Sequence, residues 1–498
     1  MRIMKRTCLG LTILLLVAAA AAAAALGAAR GGAVAEGAAG PPAGVAQAVA
    51  TPSGEIAHYG EGYRFDSNGW IYLHIEGQPY ERGFQHGRLL APELAETMRT
   101  LNYITMNDTG QTWQYFIKAA TRLWTKKIQG EYLQEIKGIA AGATSAGTPL
   151  TWQDVLALNG EMELTGYWYP GILSGDYSDG IDKTHCSAFI ATGSYTKGGK
   201  VVMAHNDWDH YVTGQFANVI VDLKPASGHR IIMQSFPGCI ASMTDYFATD
   251  AGLMGTETTI GNYDSYDPKK MPEFYRMRKA TQYADTLDEW VKYMQAGNNG
   301  GYANSWLLAN ADSGEIMRFE QGLKYQSVER TTDGFYVGFN GATDPRIRNL
   351  ECGGDSNFYD IRTATGARRV RLTQLMNENR GLIDAEVAKT ILADHYDVYL
   401  EKADNPCSRT VDGHYEIDPF QYWQARRPYS PQGAVDGKVM DSDMARELSF
   451  VARWGNSSGM PFDAAAFFLA HPQWNYLEGY VKDRPTQPWT EFKADALE

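Results

Sequence analysis

The chain has few cysteines, five in 498 residues and no CxxC pair, which excludes a dense disulfide framework. Basic charge is also in short supply. Lys and Arg number 45 against 58 Asp and Glu, a net charge of −13. A nucleic-acid binder normally shows a basic face, so that class is set aside. The same acidity argues against tight docking on anionic lipid, though it forbids no lipid substrate. Long apolar runs are absent beyond the N-terminus, and no internal repeat occurs. With 44% apolar and 21% charged residues, neither a multi-span membrane protein nor a mostly disordered chain fits. The length suffices for one large domain or two to three ordinary ones, with a sizeable core.

The N-terminus reads as a separate object. Arg2, Lys5 and Arg6 precede an apolar stretch from Leu9 to Ala29, half of it alanine, followed by Ala33-Val34-Ala35. This order of charged, apolar and small residues is that of a secretory signal over 1–35. An uncleaved anchor is the alternative, since the stretch has the length of a bilayer span. The expectation is an exported protein (periplasmic, extracellular or lysosome-like) with no stable membrane span after signal removal. Removing four basic residues from 45, against 58 acidic ones, leaves a net charge of −17 on the mature chain. Four cysteines then remain, Cys186, Cys239, Cys352 and Cys407, and the expected bridge is Cys352–Cys407.

Residues 36–60 are rich in Gly, Ala and Pro at their start and read as a flexible leader. Residues 61–185 are expected to be mostly helical. Trp70–Gly87 begins as a strand and turns into a helix, and helical spacing continues from Ala91 to about Leu164. Leu94, Met98 and Leu101 share one face there, as do Tyr132, Ile136 and Ile139. Residues 167–185, with Pro170, three glycines and three aspartates, read as a loop or linker. From Cys186 the texture changes to short strands at 187–192, 200–205, 216–223, 229–235, 306–310 and 315–320. Helices are expected at 284–294, 367–379 and near 441–452. Helices followed by sheet with interspersed helices predict an α+β or layered fold.

The runs 187–192 and 200–205 flank the polar loop GSYTKGG and predict an antiparallel hairpin. Pairing about a loop centre at 196 sets residue i opposite roughly 392 − i, so Cys186 faces Asn206, between His205 and Asp207. A thiol and a His-Asn-Asp cluster thus converge at the open end of one hairpin. One reading is that the acidic linker is cut before Cys186. The new α-amine, with an ordinary pKa of about 7.7–8.0, then serves as base for its own thiol. The other is a buried apolar cysteine ahead of a strand.

The stretches THCSAFIATGSYTKGGKVVMAHNDWD (184–209) and SFPGCIASMTDYFATDAGLMGTETTIGNY (235–263) resemble the phospholipase B-like (lamina ancestor) family of N-terminal-nucleophile hydrolases. YANSWLLANADSGEIMRFEQG (302–322), RTVDGHYEID (409–418) and GAVDGKV (433–439) extend the likeness. EGQPYERGFQHG (76–87) is similar to a segment of penicillin acyltransferase-like relatives. The resemblance implies a four-layer αββα sandwich, made as a proenzyme that cuts itself between His185 and Cys186 into two noncovalently associated chains. It implies Cys186 as nucleophile, with His205, Asn206 and Asp207 in the motif at the end of the second strand. Asn304 is implied as an oxyanion donor and Thr258 as a pocket residue. Arg368 would face the substrate or the new terminus, with Arg369 or Arg346 as alternatives. No metal or organic cofactor is implied.

The implied reaction is acyl transfer through a thioester on Cys186, on a lipid or small molecule carrying an acyl ester or amide. His205-Asn206-Asp207 departs from the animal members, which read approximately His-Thr-Thr, and approaches acyltransferase and bile-salt-hydrolase relatives. An N-acyl amidase or acyltransferase of the same fold is therefore the alternative. Cys239 replaces an aliphatic residue and reads as a core packer. Three rivals stand beside this. His205-x-Asp207-x-Asp209-His210 suggests a zinc hydrolase, but Asp stands for the second His and His229, His395, His414 and His471 downstream fall in no ligand spacing. Gly455-x-Ser457-x-Gly459 suggests a serine hydrolase with too little chain after it. A catalytically silent secreted binding protein is the third.

Overall fold

The computed structural model describes residues 47–128, 130–174, 186–244, 246–353, 357–420 and 428–497. The expected signal peptide and His185 lie outside these residues, as do the start of the leader and linker residues 175–185. Four strands open the described chain: β1 (Ala48–Val49), β2 (Ala57–Tyr59), β3 (Gly62–Ser67) and β4 (Trp70–Gly77). The end of the expected leader is therefore built into sheets rather than loose. Helices then dominate to residue 174, among them Pro79–Leu89, Ala91–Thr109, Glu131–Ser145 and Trp152–Asn159. The last of these starts at a reciprocal cap between Thr151 and Asp154. Residues 167–174, expected to begin the linker, are helical, continuing a π-turn at Leu164–Trp168 into Tyr169–Ser174.

The hairpin strands follow as β5 (Ser187–Gly193) and β6 (Gly199–His210), then β7 (Val219–Pro225), β8 (Ile231–Ser235), β9 (Phe247–Thr249) and β10 (Leu253–Thr259). Beyond two helices come β11 (Asn304–Asn310), β12 (Ile316–Gln321), β13 (Gln326–Thr331) and β14 (Gly334–Gly338). The chain ends with β15 (Gln432–Asp441), β16 (Ser449–Trp454) and β17 (Thr490–Lys493). The helix expected near 441–452 stops at Arg446. Leu448 takes a left-handed φ of 48°, and alternate side chains of Ser449–Trp454 are buried on opposite faces, which is strand periodicity.

The strands form two sheets. One has seven strands in the order β1-β17-β16-β15-β6-β5-β14, the other ten in the order β13-β12-β11-β10-β9-β8-β7-β4-β3-β2. Side chains alternate between two destinations along each central strand, as the two-residue period requires. Ile190, Met203, Ile220, Ile232, Met254 and Leu307 share one core between the sheets. Their neighbours Leu73, Val221, Met233 and Trp306 instead pack with Leu94, Ile136 and Ile139 from the helices on the far side of the ten-stranded sheet. Phe189, Val202 and Val439 pack with Leu372, Leu375 and Ile391, which cover the outside of the seven-stranded sheet. The α+β expectation is met by two large sheets with helices on both outer faces. Among the described residues no helix is long and apolar enough to cross a membrane.

Residues before and after 186 share both sheets. Strand β4 pairs in parallel with β7 from Ile71↔Val219 to Gly77↔Pro225, and β1 pairs in parallel with β17. The expected Cys352–Cys407 bridge is not formed: Cys186, Cys239, Cys352 and Cys407 are all buried and none is in a disulfide. Cys352 packs in the core under the ten-stranded sheet and Cys407 donates to Asp397 at 3.6 Å in a separate loop, which keeps the two apart.

Candidate active site

The hairpin forms with a register one residue from the expected one. Ser187 pairs with Asn206 and Ala188 with His205, and the ladder shifts between Ala191 and Gly193. That irregularity near the loop moves Cys186 to the level of Asp207. One step of register exchanges the two faces of a strand. Cys186, His205 and Asp207 therefore point between the sheets, with Ile190 and Met203, whereas Asn206 points outward.

Cys186 takes a φ of 84°, a left-handed conformation that is costly for a residue with a Cβ. Its Sγ donates to Asp207 Oδ1 at 3.5 Å. Burial pushes the thiol well up, and the carboxylates of Asp207 and Glu257 add to the shift, so sulfur carries its proton in this form. The Cys186 carbonyl accepts a hydrogen bond from Arg368. The buried Arg368 guanidinium also reaches Ser187 Oγ at 3.3 Å and Asn340 Oδ1 at 2.7 Å, and lies 4.1 Å over the Trp208 ring. Of the three candidate arginines it is Arg368 that meets Cys186. Arg369 donates to the Phe358 carbonyl and Arg346 pairs with Asp344 on the surface.

Asp207 is buried, its Oδ2 makes no hydrogen bond, and its pKa is pushed up to about 7, first by burial and then by Asp436. Asp436 stands across the ladder from Asp207, and Lys438 across from His205. Lys438 Nζ pairs with Asp436 Oδ1 at 2.5 Å with neither side chain exposed. Both residues lie in the segment GAVDGKV; their i, i+2 spacing puts them on one face of β15, and the β15–β6 pairing makes that the face of Asp207. His205 has no hydrogen bond of full geometry to either ring nitrogen, although the Glu257 backbone lies beside it. Burial, with Lys438, holds its pKa well below the usual value, so the ring is neutral.

Asn206 is not brought to the thiol. Its Nδ2 donates to the carbonyls of Leu392 at 2.8 Å and Val411 at 3.0 Å, and its Oδ1 accepts from Ser457 Oγ at 2.6 Å. Those bonds also account for Ser457, whose Gly-x-Ser-x-Gly segment is a turn. Thr258 lies across the space between the sheets, its methyl against Gly338, where a Cβ would collide with it. The Thr258 hydroxyl makes no hydrogen bond. The Asn304 amide, oriented with its nitrogen inward, donates to Glu257 Oε2 at 2.7 Å and Ala303 O at 3.0 Å. Both its N–H groups are thus engaged in this form, and Glu257, bonded also by Tyr302 at 3.1 Å, joins the cluster without having been singled out in the sequence.

A cavity of about 590 Å³ adjoins Asp207 and Trp208. Leu101, Ile104, Leu158 and Phe236 line it together with the acids Asp108, Glu161 and Asp209. Burial raises the pKa of Glu161 and Asp209. Cys239 lies in the same wall, its thiol likewise raised by burial.

The fold and this cluster define a two-sheet α+β protein with a buried thiol–carboxylate pair at the head of a central strand. The chain belongs to the phospholipase B family, whose model matches residues 65–325. It is 26% identical to an uncharacterized protein of Archaeoglobus fulgidus over 86% of this chain and 78% of that one. It is 24% identical to a protein of Crotalus adamanteus named phospholipase B, over 54% of this chain and 51% of the relative. Human phospholipase B-like 1 is 24% identical over 54% of this chain and 56% of its own length. The chain thus spans about half the length of the snake and human relatives it matches.

Proposed function

We propose that this protein is a phospholipase B-like acyl hydrolase that severs its own 185–186 peptide bond and then works through a thioester on Cys186. The observation that carries the reading is Cys186 itself: a thiol bonded to a carboxyl of raised pKa, on a left-handed backbone whose carbonyl Arg368 holds. In the self-cutting step the thiol proton passes to Asp207 and sulfur attacks the carbonyl carbon of residue 185. The C–N bond breaks, the nitrogen takes the proton back, and water hydrolyses the thioester to a carboxylate and a free thiol. The liberated α-amine is then the base for Cys186 in each turnover. It accepts the thiol proton as sulfur attacks the acyl carbonyl, and passes it to the departing alcohol or amine. It next deprotonates the water that releases the acid. A donor to the developing oxyanion is worth about 3–4 kcal/mol, and Asn304 fills that role once it lets go of Glu257. The two pieces stay joined through β4–β7 and β1–β17. Export rests on the composition of the N-terminal 35 residues.

The test is intact mass and N-terminal sequencing of active protein. At 55.1 kDa for 498 residues, cutting before Cys186 after signal removal yields fragments of about 17 and 35 kDa. An active protein with the 185–186 bond intact overturns the mechanism, and an uncut inactive one points to a silent binding protein. Phospholipids compared with N-acyl amides as substrates then decide between ester and amide.

A further inference from the structure

We infer that His395, Asp412 and His414 form a divalent-metal site, suited to zinc, on the outer side of the seven-stranded sheet. Three donor atoms converge there. His395 Nε2 and His414 Nε2 are 3.1 Å apart, and they lie 3.4 and 3.5 Å from Asp412 Oδ2. Zinc bonds imidazole nitrogen and carboxylate oxygen at about 2.0–2.2 Å, so tetrahedral ligands stand roughly 3.4 Å from one another. The three separations match that geometry.

The surroundings prepare the donors. His414 Nδ1 faces Glu416 Oε1 at 2.9 Å, which fixes the proton on Nδ1 and turns the Nε2 lone pair inward. Backbone N–H groups of Ser457 and Ser458 donate to Asp412 at 3.2 and 2.9 Å and orient its carboxylate. His414 and Asp412 are wholly buried, whereas His395 keeps 10% of its side chain exposed and is the ligand nearest solvent. The nearby cation Arg453 donates from Nε and Nη1 to the carbonyls of Gln487 and Ser457 rather than to Asp412 among the hydrogen bonds of the described residues. Two facing Nε2 atoms need a cation or a shared proton between them. The cluster of His74, Asp222 and Asp495 shows the alternative solution, since there Arg230 bonds both carboxylates at 2.7 and 2.5 Å and no ion is called for.

The metal would act as a fastener. It joins His395, just beyond the helix Ala385–Leu392, to the loop whose Val411 carbonyl accepts from Ser187 Oγ and Asn206 Nδ2, each at 3.0 Å. That loop backs the strands bearing Cys186 and Asp207.

The experiment uses the full chain, stripped with a chelator and titrated with zinc by calorimetry in buffers of different ionisation heat. Native mass spectrometry supplies the stoichiometry. The expected result is one zinc per chain, release of about one proton at neutral pH, and a higher melting temperature. Glu416→Gln should weaken zinc binding by about 10–100-fold. His395→Gln, at the partly exposed ligand, should abolish binding while far-UV circular dichroism stays native. No binding by the folded wild-type chain at micromolar zinc, or stoichiometric binding that survives His395→Gln, overturns the inference.

Discussion

Strand β6 carries polar residues on both faces, and the fold treats the two faces in opposite ways. Toward the other sheet, both ring nitrogens of His205, Oδ2 of Asp207 and the Thr258 hydroxyl opposite are buried without a hydrogen bond. Away from it, Asn206 uses its nitrogen twice and its oxygen once, and Ser187 Oγ is bonded to Val411. A buried polar group left unpaired costs about 1–3 kcal/mol, so a fold does not gather several on one surface for stability. The satisfied face is scaffold. On the function proposed above, the unsatisfied face is the one that turns toward substrate.

The sharpest way to break this comparison is to remove the sulfur. Cys186→Ala should give a folded, uncut chain with no hydrolysis, read by denaturing gel and intact mass. Cutting that persists in this variant removes Cys186 from the chemistry.

Next in size is Asp207→Asn. Loss of a general base is worth about 10²–10⁴-fold, so self-cutting should slow by at least 100-fold while the wild-type rate climbs with pH as Asp207 ionises near 7. The same substitution tests stability. A carboxyl whose pKa is raised from 3.8 in the folded state binds its proton more tightly there than in the unfolded chain. Its stabilising effect is complete below about pH 4 and is lost as pH rises toward 7. Denaturant melts should therefore show the wild type losing more stability than Asp207→Asn between pH 4 and 7. Equal pH slopes would place Asp207 in an ordinary solvated setting.

The outward face should respond in the other currency. Asn206→Ala breaks three buried hydrogen bonds and should cost about 3 kcal/mol in urea unfolding. The pH dependence of cutting in whatever fraction folds should match the wild type. A shifted pH profile would move Asn206 into the site.

How far the sequence could be read turns on that same strand. The hairpin, its Cys186 and the approach of Asp207 follow from apolar alternation around a Gly-rich loop. The distinction between Asn206 and Asp207 does not, because it depends on a one-residue irregularity at Gly193 (φ 65°), and register errors of one exchange faces. Asp436 and Lys438 reach Asp207 and His205 only through β15–β6 pairing, a contact more than 200 residues long. Choosing Arg368 among several arginines required the helix Ala364–Glu378 to be placed over β5. Conversely, the glycines of EGQPYERGFQHG looked like a motif and turn out to be packing. A Cβ on Gly83 or Gly87 would run into the backbone of the helix Glu131–Ser145. His395 and His414 looked unrelated by spacing because a loop, not a helix turn, brings them together.

The smallest expected effect compares Cys186 with Cys239, the thiol in the cavity wall. Cys239 and Cys186 are both buried and both held protonated by burial, so neither is distinguished by its acidity. What separates them is geometry: Cys186 has Asp207 as acceptor, Arg368 on its carbonyl and a left-handed backbone, whereas Cys239 lies in the cavity wall with Leu94 and Leu158 packed against the adjacent Gly238. Cys239→Ala should therefore cut at the wild-type rate, hydrolyse at a comparable rate, and lose only about 1 kcal/mol of stability from the missing sulfur. If Cys239→Ala stopped cutting as completely as Cys186→Ala, surroundings would no longer explain which thiol reacts, and the assignment of the nucleophile would fall with it.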